Sequence, residues 1–143
     1  MTEDILVAPP EFKLYKDRGI YIGTFIGGPL TAGYLIAENY KRLGEKGKVW
    51  KTWVITVLCT ILIFSVAILT PSSTRVPGYI FPLLYAAFTS FLVRRLQGDR
   101  IKAHARNHGE FYTTWRAVVV SLIFGAISLG IILLILTFAD LTT

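Results

Sequence analysis

Acid and base are missing from four long stretches of this chain, 20–37, 52–70, 78–93 and 117–139, none of which contains Asp, Glu, Lys, Arg or His. A helix packed into a soluble core normally keeps a polar face. Its lack over 16 to 23 residues excludes an ordinary soluble helical domain. Four segments are too few to close a barrel, so spans of this kind must be helical. Cysteine is nearly absent. Cys59 stands alone in an apolar run, cannot form an internal disulfide and reads as a small hydrophobe. The first 19 residues lack the basic start and apolar stretch of a secretory signal, and carry Glu3, Asp4, Pro9, Pro10, Glu11 and Asp17 instead. There is no nucleophile triad, phosphate loop or dinucleotide fingerprint. No span carries the acid of a proton-coupled transporter, which speaks against a small multidrug exporter; Glu38, at the end of the first run, comes nearest. No catalytic residue and no cofactor is expected.

The second and fourth runs are long enough to cross a bilayer, which takes about 20 apolar residues. The first is borderline and glycine-rich, and the third is short. The net charge of +6 does not indicate a nucleic-acid partner, because the basic residues lie between apolar runs rather than on a soluble face. Five lysines and arginines fall between runs one and two and six between three and four; Arg75 is the only one between runs two and three. If every run spans, the basic loops share one side with eleven positives against four. The positive-inside rule then makes those loops cytoplasmic and puts both termini outside. Trp50, Trp53 and Trp115 sit where the basic loops re-enter the membrane, as interfacial anchors do. In a competing topology the first run, broken at Gly27-Gly28-Pro29, dips in and returns. The tail then joins the basic side and the count becomes fourteen against one.

An internal repeat favours the first arrangement. Pro29-Leu30 matches Pro82-Leu83, and Lys41-Arg42-Leu43 matches Arg94-Arg95-Leu96, both at an offset of 53 residues. Thr52-Trp53 matches Thr114-Trp115 at an offset of 62. The expected fold is therefore all-α: a four-helix transmembrane bundle made of two tandem helical hairpins in the same orientation. Its parts are an external tail 1–19, a first hairpin 20–70, a short external loop 71–77, a second hairpin 78–139 with an extended basic turn, and a tail 140–143. Gly44 and Gly47 are expected to stop the first turn. The third helix is expected to run on to about Arg106, with Arg95, Asp99, Lys102 and Arg106 at helical spacing.

Small residues four apart let helices approach closely in lipid. Gly23, Gly27 and Thr31, then Gly33 and Ala37, follow that spacing, as do Ser121 with Gly125 and Ala126 with Gly130. They serve packing within the chain or homo-oligomerisation. The break at Gly28-Pro29 is also a pore candidate, since a broken helix can expose carbonyls to a solute. Lys41, Arg42, Arg94, Arg95, Lys102 and Arg106 are the residues expected to meet lipid headgroups or a protein partner. His104 and His108, four apart, are a weak metal candidate; Asp99 and Glu110 are the nearest acids that could complete a site. The HExxH pattern is absent, and two histidines cannot supply the several histidine boxes that a membrane di-iron desaturase requires.

The segment Gly27-Gly28-Pro29-Leu30-Thr31-Ala32-Gly33-Tyr34-Leu35-Ile36, followed by Asn39-Tyr40, resembles small uncharacterised bacterial multi-pass membrane proteins. The resemblance covers the first run alone, implies a bacterial cytoplasmic membrane and carries no activity. The sequence thus reads as a non-enzymatic membrane protein that self-associates and presents basic cytoplasmic hairpins to a partner, as an accessory subunit, an effector or an immunity-type protein. An oligomeric pore around the first run is the alternative, and a metal-dependent enzyme the third.

Overall fold

A computed structural model of the chain describes residues 8–69 and 77–141. The described residues are all-α, in five helices: α1 (Asp17–Arg42), α2 (Lys46–Leu69), α3 (Ile80–Leu96), α4 (Gly98–Arg106) and α5 (Thr114–Leu141). Their only extended pairing is an isolated bridge between Leu14 and Phe111. Three helices are long and apolar enough to cross a membrane: α1, α2 over Lys46–Val66 and α5 over Thr114–Phe138. At 17 residues, α3 reaches about 26 Å, just short of a hydrocarbon core of about 30 Å.

The length of α1 is misleading, because the helix doubles back on itself. Gly28 adopts φ 80° and ψ −172° inside it, a region that only glycine enters readily. In a straight helix, the 22 steps from Asp17 to Asn39 would span about 33 Å. Instead Tyr15, just before the helix, is hydrogen-bonded to Asn39 near its end. A Cβ built on Gly23 would lie 2.8 Å from the Leu35 side chain, a residue about 18 Å away along a straight helix. So α1 is two antiparallel arms, residues 17–27 and 29–42, joined at Gly28. The arms reach about 16 Å and about 21 Å, short of a bilayer core of about 30 Å. Pro29 opens the second arm, where its missing N–H and fixed φ cost little.

The folded-back helix is the core of the molecule, and α2, α3 and α5 each pack on it rather than on one another. Every one of them offers it small or hydroxyl side chains: Thr56 and Thr60 from α2, Ala86 and Ser90 from α3, Ala117 and Ser121 from α5, all buried. The first arm runs parallel to α5, with Gly19 beside Ala117 and Gly27 against the Ser121 backbone. The second arm runs antiparallel to α2, with Gly33 pressed on Thr56. Beyond the Gly28 turn the described apolar residues are less buried. Large apolar side chains there, such as Leu62, Leu134 and Phe138, are exposed.

Several expectations are corrected. The first run is a doubled-back pair of arms, and three helices among the described residues, not four, are long and apolar enough to span, so the four-helix bundle of two tandem hairpins is not confirmed. The tail does not lie opposite the basic loops: Leu14 bridges Phe111, and Tyr15 meets Asn39. The helix expected to run on to Arg106 breaks at Gln97, whose side chain turns inward to bond other elements, separating α3 from α4. Gly44, at φ 77°, does end α1 as expected, but Gly47 lies inside α2. The repeat is visible in part. Both prolines stand near helix starts and both basic pairs in last turns, yet Thr52 lies inside α2 whereas Thr114 opens α5. Arg75, most of the loop 71–77 and the start of the tail lie outside the described residues.

Two substitutions test this packing. Gly28→Ala places a side chain at a positive φ and should destabilise by more than about 1 kcal/mol. Gly33→Val collides with Thr56 and should cost about 1–3 kcal/mol. Gly130→Val, with nothing near its Cα, should be neutral. Thermal unfolding of the purified chain in detergent measures all three, and equal midpoints would contradict the doubled-back helix.

Candidate functional site

The open ends of the two α1 arms meet at the same end of the molecule as both basic loops, and a buried polar network ties them together. Asn39 is fully buried. Its Oδ1 accepts the Tyr15 N–H at 2.7 Å, and its Nδ2 donates to the Tyr15 carbonyl at 3.0 Å and to Gln97 Oε1 at 3.1 Å. Gln97, also fully buried, donates from Nε2 to the Ile36 carbonyl at 3.0 Å. One amide side chain thus takes the role of a neighbouring strand for the tail, while the other links α1 to the α3–α4 break. Buried polar groups are tolerated when satisfied in this way, and they fix a unique arrangement.

The tail is clamped along its described length. Phe12 stacks on His104 with ring centroids 5.0 Å apart, and Phe111 meets the same imidazole edge-on at 5.1 Å. Tyr15 packs on Tyr112 at 4.6 Å, and its hydroxyl accepts from Arg116 Nε at 3.2 Å. Burial pushes the Tyr15 hydroxyl above the ordinary phenol range, and the Arg116 hydrogen bond offsets part of the rise. At the rim, Lys13 pairs with Glu110 at 2.6 Å, and its hydrogen bond holds that carboxyl below the usual range. Glu45 joins the two basic loops by pairing with Lys48 and, at 3.1 Å, with Arg100. The Lys48 hydrogen bond likewise lowers the Glu45 carboxyl.

The turn of the hairpin is the second polar feature. Thr24 and Thr31 flank it, one on each arm. Both are fully buried, and neither hydroxyl has a hydrogen-bond partner among the described residues. The Cβ position of Gly27 is taken up by Thr31 Oγ1 and the Ser121 backbone, and Gly28 lies near the Tyr85 hydroxyl. Gly27 is therefore closed off within the chain, while Gly28 and Pro29 stay half-buried.

The expected site residues separate into groups. Gly23, Gly27 and Gly33 face neighbours inside the chain; Gly125 touches the hairpin at Gly27, and Gly130 is open. Lys41, Arg42, Arg94, Arg95, Lys102 and Arg106 are all exposed at the basic end. Arg42 pairs with Glu38 at 2.8 Å and Arg94 with Asp17 at 2.7 Å. Trp50 and Trp115 are exposed in the first turns of α2 and α5, and Trp53 follows one turn on, half-buried. The histidines do not form a pair. His104 is buried, its Nε2 donating to the Glu110 carbonyl at 2.8 Å, while His108 is exposed past the helix end at φ 55°. No group of three potential metal ligands occurs among the described residues. Sequence reasoning missed Tyr15, Gln97 and Phe12, and the network role of Asn39. Their partners are 24 to 61 residues distant or aromatic contacts across two loops, for which no local pattern exists.

No family model, curated protein or solved structure matches the chain.

Asn39→Leu should leave both Tyr15 backbone groups unpaired, at about 1–3 kcal/mol for each buried group. The expected result is faster hydrogen exchange at the Tyr15 amide and easier proteolysis of the tail, with helix content retained. Unchanged exchange would remove the network from the fold's determinants.

Proposed function

We propose that the chain is a non-enzymatic, multi-pass protein of the bacterial cytoplasmic membrane that displays a rigid basic platform to an acidic protein partner. In this reading α2, α3 and α5 cross the bilayer, α1 is a re-entrant hairpin, and the N-terminal tail lies in the cytoplasm with the C-terminus outside. The observation that carries it is the charge distribution. All fourteen lysines and arginines among the described residues lie at one end, where the arms of α1, the α2 start, α4 and the α5 start meet. The positive-inside rule makes that end cytoplasmic. Helix α4 supports the same reading. It turns His104 inward and leaves Arg100, Lys102 and Arg106 exposed, with Arg100 tied to Glu45. Self-association, where it occurs, would use the bare outer halves of α2 and α5 near Gly130, because the first-run glycines are already occupied within the chain.

A pore is the second reading. The unpaired Thr24 and Thr31 hydroxyls favour it, and the filled space at Gly27 opposes it in this conformation.

Reporter fusions should place the N-terminus inside and the C-terminus outside; both termini on one side would defeat the topology. Cross-linking in cells should trap complexes of the native chain that the Lys102→Glu/Arg106→Glu variant loses. A chain that is monomeric and forms no complexes would defeat the platform, and conductance of the purified protein in liposomes would favour the pore.

A further inference from the structure

A groove of about 590 Å³ runs between the first arm of α1 and α3 at the basic end, lined among others by Asp17, Arg18, Tyr21, Ser90, Phe91 and Arg94. The Asp17 carboxylate is held at both oxygens, by the Ser90 hydroxyl at 2.6 Å and by Arg94 Nε at 2.7 Å. This fixes the Arg94 guanidinium through one nitrogen only. Its terminal nitrogens, and the whole of Arg18, have no hydrogen-bond partner among the described residues. Arg18 and Arg94, with Arg95 at the edge, outweigh the one carboxylate and leave the groove net positive at the start of α1, a helix end with no side-chain cap that itself favours anions. Phe91 is 53% exposed beside these groups and supplies an apolar wall, with the Arg95 guanidinium stacked over its ring at 5.5 Å.

We propose that this groove binds the headgroup phosphate of an anionic phospholipid in the leaflet at the basic end. A phosphodiester carries a negative charge, opposite in sign to the groove. The free fork of Arg94 suits two phosphate oxygens, Arg18 and Tyr21 supply further donors, and Phe91 lies where an acyl chain would leave the headgroup. A soluble phosphate compound would use the cations and leave the aromatic wall without a role. Basic pockets between helices at the cytoplasmic face hold anionic headgroups in this way.

The inference rests on the membrane reading, and its test keeps the two apart. The full-length purified chain in detergent is titrated with phosphatidylglycerol, phosphatidylcholine and inorganic phosphate, and bound lipid is counted by native mass spectrometry. Phosphatidylglycerol should be retained over phosphatidylcholine, and inorganic phosphate should not displace it. Arg18→Gln, which removes no protein contact, should weaken retention about fivefold, the contribution of one basic residue near a headgroup. Lys46→Gln removes the same charge from the exposed start of α2 and should leave retention unchanged. Equal losses in the two variants would reduce the effect to general surface charge and overturn the site. Displacement by inorganic phosphate would identify a free-anion site instead. Extraction of the chain from membranes by alkaline carbonate would defeat the membrane reading itself, whatever the lipid result.

Discussion

A reversal of the chain within an apolar segment is the constraint around which this protein is organised. At Gly28 one helical arm ends and another begins. Helix ends leave backbone carbonyls and N–H groups without intrahelical partners, and such groups cannot face lipid. The reversal therefore has to be enclosed by protein. Three helices do this, and the side chains they bring are small because the backbones must come close: Gly27 rests on the Ser121 backbone and Gly33 on Thr56. Proline contributes at the one place where its missing donor is harmless, the first position of the returning arm.

The reversal also explains why the basic end is elaborate and the far end bare. Because the arms of α1 return to the side they left, the tail, the α1–α2 turn and the α3–α5 connection converge there. Asn39 and Gln97 bind these segments to one another from the inside. His104, between Phe12 and Phe111, belongs to the same clamp, which accounts for this histidine in structural terms. Past the hairpin turn, α2 and α5 carry exposed apolar side chains, a surface suited to lipid or to another copy of the chain. The proposed functions follow this asymmetry, placing recognition by charge at one end and apolar contact at the other.

Much of this was legible locally. The charge-free runs, the tryptophans at their edges and the clustering of basic residues depend on composition along a helix, and they mark the apolar segments and the basic end wherever the chain folds. The doubled-back α1 was visible only as an alternative, because Gly27-Gly28-Pro29 is compatible with a kinked span as well as with a reversal. The charge count of the competing topology agreed with a first run that turns back, while the repeat pointed to two tandem hairpins. That repeat reflects two helices that share a proline near the start and a basic pair at the end, a resemblance that does not extend to their length or path.

The sequence by itself determined that the chain is helical and rich in spanning-type segments, and which ends of those segments are basic, since each property is set by neighbours within a few residues. Only the tertiary structure decided that the first segment turns back, that the third helix breaks at Gln97 and that the tail joins the basic end. Those outcomes hinge on one glycine dihedral and on amide contacts between residues distant in the chain, such as Asn39 and Gln97, whose pairing no local pattern encodes.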